Sequence, residues 1–173
     1  FEHKENLDHF VRFARRCFEE YGEKVPRWCT HNECGPFSVM GWGFGVFPPG
    51  IKSFKRMARV LCNLMHSHAR VYRELKAMPG GERAQIGLVK NIFQFDPLHS
   101  WNPIHRTMCK VMEGVYNESV IGFMKTGVFS LHIPMVVKLR EEIAPGETLS
   151  DFVGLNYYSN LLIKVVMDAS DPQ

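Results

Sequence analysis

Apolar residues recur at helical spacing near the start of the chain, at Leu7, Phe10, Val11, Ala14, Cys17, Phe18 and Tyr21, which predicts an amphipathic helix. Gly22 follows the last of them, where a left-handed C-terminal cap is expected. The next run, Lys24 to Glu33, holds Val25, Trp28, Cys29 and Thr30; it is short for a helix and meets the turn formers Cys34-Gly35-Pro36, so it reads as a strand. Between Cys34 and Gly50, five glycines and three prolines alternate with Phe37, Trp42, Phe44 and Phe47, a long loop too aromatic to be a mere connector.

Ser53 is placed to cap a second helix with Phe54, Met57, Leu61, Leu64, Met65, His68, Tyr72 and Leu75 inward, ended by Pro79-Gly80-Gly81. Ala84 to Ile92 reads as a strand. Asn102-Pro103 is a cap followed by proline at the first helical position, opening a helix with Ile104, Met108, Val111, Met112 and Val115 inward. A further proline-started helix is predicted from about Ile133 to Glu142. The run Phe152-Val153-Gly154-Leu155-Asn156-Tyr157-Tyr158 is apolar and then abruptly polar, as expected for a buried strand emerging at a working surface.

This alternation predicts an α/β fold with right-handed crossovers and parallel strands, whose function sits on the loops after the strands. About three strands are legible, whereas a closed eightfold barrel needs about 200 to 250 residues. The chain therefore reads as a single partial domain over residues 1–173, an incomplete (β/α)8 TIM barrel with flanking helices.

Composition narrows the function classes. At 45% hydrophobic and 23% charged the chain is globular, and its net charge of +3 comes from 21 basic and 18 acidic residues without a run of either sign. That excludes a basic nucleic-acid stripe. No apolar stretch approaches the roughly 18 residues of a membrane span, and the start at Phe1 has no initiator Met and no apolar signal core, so the natural N-terminus is expected to lie upstream. The five cysteines, Cys17, Cys29, Cys34, Cys62 and Cys109, lack the dense spacing of a disulfide framework, which points to free thiols in a reducing, cytoplasmic setting.

Candidate chemistry concentrates in Arg27-Trp28-Cys29-Thr30-His31-Asn32-Glu33-Cys34, which puts a carboxylate and an amide at the C-terminal end of a strand. Here the sequence resembles glycoside hydrolase family 1, whose acid/base motif runs Thr, an apolar residue, Asn, Glu, Pro; it stands as Thr30-His31-Asn32-Glu33-Cys34. The likeness continues through the helix Val11-Arg12-Phe13-Ala14-Arg15-Arg16-Cys17-Phe18, the segment Gly45-Val46-Phe47-Pro48-Pro49-Gly50, the His66-Ser67-His68-Ala69 helix and Asp151-Phe152-Val153-Gly154-Leu155-Asn156-Tyr157-Tyr158-Ser159. It covers nearly the whole chain, roughly the fourth to the sixth barrel strand.

The resemblance implies hydrolysis of β-linked glycosides with retention, without a cofactor, by two carboxylates about 5 to 5.5 Å apart. It makes Glu33 the general acid/base, gives Asn32 the sugar's 2-hydroxyl, matches Tyr158 to the tyrosine that orients the nucleophile, and puts Asn156 beside it. Trp42, with Phe44 and Phe47, is a candidate for stacking on a sugar. The sequence departs from the pattern at His31, in place of an apolar residue, and at Cys34, in place of proline. The family's nucleophile motif, Glu-Asn-Gly, does not occur, and its early Gln and His and its late Trp and Glu would fall beyond either end. The remaining acids, including Glu113, Glu118, Glu141, Glu142, Glu147 and Asp168, are expected on helices, in turns or in the tail. The chain alone is thus expected to be inactive.

Two rival readings stand beside this one. Cys29, His31 and Cys34, with Cys62 and His66 one helical turn apart, could be drawn as a metal cluster, but the spacing is no recognised finger and buried thiols explain the cysteines more simply, so no metal is expected. The methionines, Met57, Met65, Met108, Met112 and Met124, read as core filling. The other rival is a non-catalytic carbohydrate-binding or scaffolding module whose open sheet edges lead to self-association.

Overall fold

The computed structural model describes residues 1–166. Three strands form a parallel sheet in the order β1 (Arg27–Asn32), β2 (Gln85–Pro97) and β5 (Phe152–Ile163). Helix α1 (Leu7–Tyr21) precedes β1, α3 (Phe54–Lys76) joins β1 to β2, and α4 (Pro103–Glu113) and α5 (Ser119–Thr126) follow β2. Parallel neighbours require such crossovers, and all three strands therefore end on the same side. The result is one sector of an α/β barrel wall.

The caps form as their residue types dictate. Ser53 Oγ accepts from the Arg56 N–H at the start of α3, and Asn102 Oδ1 accepts from the Ile104 N–H at 2.9 Å with Pro103 at the first helical position of α4. Gly22, by contrast, stays right-handed at φ −57°, so α1 runs on into a turn without the expected left-handed cap.

Helix α3 is the centre of the molecule. Met57, Leu61, Met65 and Ala69 are fully buried, and the opposite flank, through Val71 and Leu75, packs with Val11 and Phe18 of α1 and with Ile86. A helix enclosed on several sides needs more than one apolar stripe, which is why Ala58, Val60 and Ser67 are buried as well.

The loop after β1 is more ordered than its glycines suggest: α2 (Cys34–Ser38) leads into a single wide π-type turn, Val39–Gly43. The segment expected to form a helix over Ile133 to Glu142 is instead an antiparallel hairpin, β3 (Val128–Ile133) with β4 (Val137–Glu142). Its pattern alternates strictly, Val137, Leu139 and Glu141 half-buried against exposed Lys138, Arg140 and Glu142, which is the period of a strand. Pro134 opens the turn rather than a helix, closed by the Val136 N–H on the Ile133 carbonyl at 3.0 Å. Glu141 and Glu142 thus lie on a strand. Asp168 lies outside the described residues.

The methionines divide. Met57 and Met65 fill the core, but Met108 and Ile104 of α4 are exposed and, with Met112, Phe44 and Met135, line an apolar cleft of about 680 Å³. On α4 it is His105 and Cys109 that are buried. No helix among the described residues is long and apolar enough to cross a membrane, and the five cysteines are unpaired.

Candidate functional site at the strand ends

Two irregularities in strand pairing build the site. In β1, Cys29 pairs with Gly87 and Asn32 with Val89, so three steps on β1 oppose two on β2. The extra residue is a bulge, and it lets the consecutive residues Thr30 and His31 turn toward the same helix. Thr30 Oγ1 meets His68 Nδ1 at 2.7 Å and His31 Nε2 meets Ser67 Oγ at 2.6 Å, both on α3. Regular alternation would have sent one of them to the other face.

Asn32 and Glu33 are thereby carried past the helix layer. Glu33 adopts φ 54° and ψ 56°, a left-handed conformation that is costly for a residue with a Cβ. Its N–H remains on the Val89 carbonyl at 2.9 Å, so the residue is turned but still tied to the sheet.

The second bulge lies in β5, where Ile92 pairs with Tyr157 but Gln94 with Asn160. Two steps on β2 oppose three on β5, so the extra residue falls at Tyr158-Ser159. Tyr158 donates its hydroxyl to Glu33 Oε1 at 2.5 Å, and Asn156 Nδ2 donates to the same oxygen at 2.7 Å. Asn156 also reaches Asn32 Oδ1 at 3.3 Å. The hydrogen bond to Glu33 holds the Tyr158 hydroxyl above its usual ionisation range.

The sheet beneath adds residues that motif reading did not single out. Asn91 is wholly buried, pairs with Asn156 and has an amide nitrogen without a partner. Lys90, 1% exposed, sends its ammonium to the Asn91 carbonyl and side-chain oxygen and lies over the Tyr116 ring at 5.8 Å. Burial pushes Lys90 down to about 8, against the opposing pull of Cys34, Glu33 and Glu113. Phe93 packs edge-on against Tyr116 and 6.3 Å from the Tyr158 ring. The adjacent polar pair Lys90-Asn91 between the apolar runs 86–89 and 92–93 was the available signal.

The structure brings together Glu33, Asn32, Asn156 and Tyr158. It does not bring Trp42 to them: Trp42 is 8% exposed in the core, tilted against Phe37, and its indole N–H donates to the Glu2 carboxylate at 3.1 Å. The reason is the π-type turn, which folds the loop back over the start of α3 instead of extending it across the strand ends.

The two departures in the motif are both packed away from the carboxylate. His31 stacks on Phe10 at 4.7 Å, and burial brings it down to about 3, so it is neutral. Cys34 is buried and its thiol is pushed up to about 12 by that burial. Neither supplies a charge beside Glu33. Of the other acids, Glu147 pairs with Arg73, Glu142 with Arg140, Glu141 with Lys4, and Glu113 accepts from Asn117.

The sequence matches the family described as glycosyl hydrolase family 1 over residues 1–171. The chain belongs to glycosyl hydrolase family 1.

Among family 1 relatives, a 6-phospho-β-galactosidase of Leptotrichia buccalis is 32% identical over 91% of this chain and 37% of its own. β-Glucosidase A of Thermotoga maritima is 28% identical, over 96% and 38% respectively. A β-glycosidase of Pyrococcus horikoshii superposes on 92% of this chain and 34% of its own with a TM-score of 0.78 at 27% identity. The chain thus spans less than two fifths of each family 1 protein it matches here. The partial parallel sheet is one part of that family's barrel.

Proposed function

We propose that the chain carries the acid/base part of a retaining β-glycosidase site that acts on β-glucosides or related β-glycosides. The observation behind this reading is the convergence of Glu33, Asn32, Asn156 and Tyr158 from two strands that end on the same side. Glu33 protonates the leaving oxygen and then takes a proton from the water that releases the sugar. Both side-chain donors hold Oε1, which fixes the carboxyl plane and leaves Oε2 as the oxygen that exchanges the proton. Asn32 meets the sugar's 2-hydroxyl, a contact that strengthens as positive charge develops at the anomeric carbon.

The reaction needs a second carboxylate on the opposite face of the sugar, and no Glu-Asn-Gly occurs in the 173 residues. The chain alone therefore turns nothing over. Incubation with an aryl β-glucoside should release no phenol; release that disappears in Glu33→Gln would contradict this.

A second reading, an association module, is favoured by the outer face of β5, where Val153, Leu155 and Tyr157 are each more than half exposed, and by the edges of β1 and β5, unpaired among the described residues. Light scattering of the chain should then give a dimer or larger; a monomer at high concentration would exclude it.

A further inference from the structure

Away from the strand-end site, three donors of different chemistry meet between α3 and the hairpin. Cys62 and His66 are four residues apart, which stacks them on one face of α3, and Glu141 reaches them from β4. One donor atom from each lies within 4.8 Å of the other two. Glu141 uses both oxygens: Oε2 accepts from Cys62 Sγ at 3.3 Å, and Oε1 from His66 Nε2 at 2.6 Å and from Lys4 Nζ at 2.9 Å. The other four cysteines lie elsewhere: Cys29 and Cys34 flank the bulge of β1, Cys17 is on α1 and Cys109 is on α4.

We propose that Cys62, His66 and Glu141 form a binding site for a zinc-like divalent transition metal. Thiolate, imidazole and carboxylate together suit zinc or cobalt and disfavour magnesium and calcium, which take oxygen ligands. The dimensions fit, because zinc bonds of about 2.0 to 2.3 Å put tetrahedral ligands roughly 3.3 to 3.6 Å apart, so the donors move by about 1 Å or less. Both supports are rigid: a 23-residue helix, and a strand in which Glu141 is locked opposite Phe129.

Three protein ligands leave the fourth position open, and beside it a cleft of about 370 Å³ is lined in part by Cys62, Glu141, Leu139 and Ala58. Lys55, Arg59 and Lys138 also line it, and their charge favours water-derived hydroxide or another anion as the fourth ligand.

Without metal, the Lys4 ammonium occupies the carboxylate as a substitute cation. Lys4 is more than half exposed, on the short turn Lys4–Asn6, so it leaves for solvent with its charge. Metal binding then replaces one proton: the Cys62 thiol loses its hydrogen to water and the sulfur bonds the metal. His66 moves its proton from Nε2 to Nδ1 and offers the freed lone pair. Glu141 is already ionised. The thiolate and carboxylate balance the two charges of the ion, and no electron is transferred.

Cobalt(II) titration of the chain tests the site, because a thiolate ligand gives an intense near-ultraviolet charge-transfer band. One equivalent of cobalt should raise the band and one of zinc should abolish it, with the zinc affinity read by competition with a chromogenic chelator. Cys62→Ser should remove the band and weaken zinc at least tenfold, and His66→Gln should weaken it comparably. Cys29→Ser and Cys34→Ser should change neither, and Lys4→Met should tighten binding by removing the competing ammonium. Far-ultraviolet circular dichroism of each variant separates ligand loss from unfolding. Absence of a band in the folded chain, or a band that survives Cys62→Ser, overturns the proposal.

Discussion

Tyr158 and Glu33 are 125 residues apart in sequence, yet the tyrosine hydroxyl lies 2.5 Å from Glu33 Oε1, tying the bulged end of β5 to the turn after β1. The family pattern matches this tyrosine to one that orients a nucleophile. Here it serves the carboxylate on the first strand, with Asn156 on the same oxygen.

Removing that hydroxyl tests the tie. Tyr158 is 64% exposed, so Tyr158→Phe should leave the urea midpoint nearly unchanged. The sharper readout is ionisation: the Tyr158 phenol should titrate above its ordinary value in the chain and fall in Glu33→Gln, followed as the wild-type minus Tyr158→Phe absorbance difference.

His68 makes stability depend on acid. It is wholly buried; its Nε2 donates to the Leu149 carbonyl at 2.8 Å, so Nδ1 must accept from Thr30, and the ring is neutral. Burial brings it from 6.5 to about 4. The unfolded chain therefore binds the extra proton first, and stability falls as the pH drops from 6.5 toward 4, by about 3 kcal/mol at most from this group. His31, lowered from 6.5 to about 3, acts in the same direction. In His68→Gln the acid slope of urea midpoints should be shallower; an unchanged slope would remove His68 from the account.

Lys90 acts at the alkaline end. Its folded value of about 8 lies below 10.5, so between these pH values the unfolded chain holds more protons and this residue's destabilisation fades as the pH rises. Lys90→Met should stabilise the chain by about 1 to 3 kcal/mol at pH 7, because a buried ammonium is replaced by an apolar side chain. The advantage should vanish by about pH 10.5. Making the same comparison in a Cys34→Ala background removes the opposing titration of the buried thiol, which is coupled to Lys90.

Gly87 permits the contact between β2 and β5 that holds both site strands together. A Cβ there would come 2.3 Å from the Phe152 carbonyl oxygen, which is backbone and cannot rotate away. Gly87→Ala should destabilise by about 1 to 3 kcal/mol and shift the Tyr158 ionisation toward that of a free phenol. Wild-type stability would show that the strands separate without cost.

Local signals carried much of this structure. The Ser53 and Asn102 caps, the three parallel strands and the Asn32-Glu33 step follow from short-range chemistry, and the structure places them where those rules predict. Long-range effects were not legible. The hairpin of β3 and β4 was hidden because Pro134 fits a helix start as well as a turn, although the alternation around Leu139 marks a strand. The bulges at Thr30-His31 and Tyr158-Ser159 exist only as a mismatch between two strands. Trp42 looked available in a glycine-rich loop, but the π-type turn folds it into the core, where its indole meets Glu2 from far along the chain.

Glu33 as acid/base is tested most directly by supplying the missing carboxylate: residues 1–166 of this chain replace the matching segment of Thermotoga maritima β-glucosidase A, and aryl β-glucosides are assayed. Turnover should appear, and Glu33→Ala should lower it about 10² to 10⁴-fold for a poor leaving group. Azide, which needs no general base to attack a glycosyl-enzyme, should restore the rate for a good leaving group and yield the β-glycosyl azide. Full activity in Glu33→Ala, or a loss that azide leaves untouched in the folded variant, would contradict the role given to Glu33.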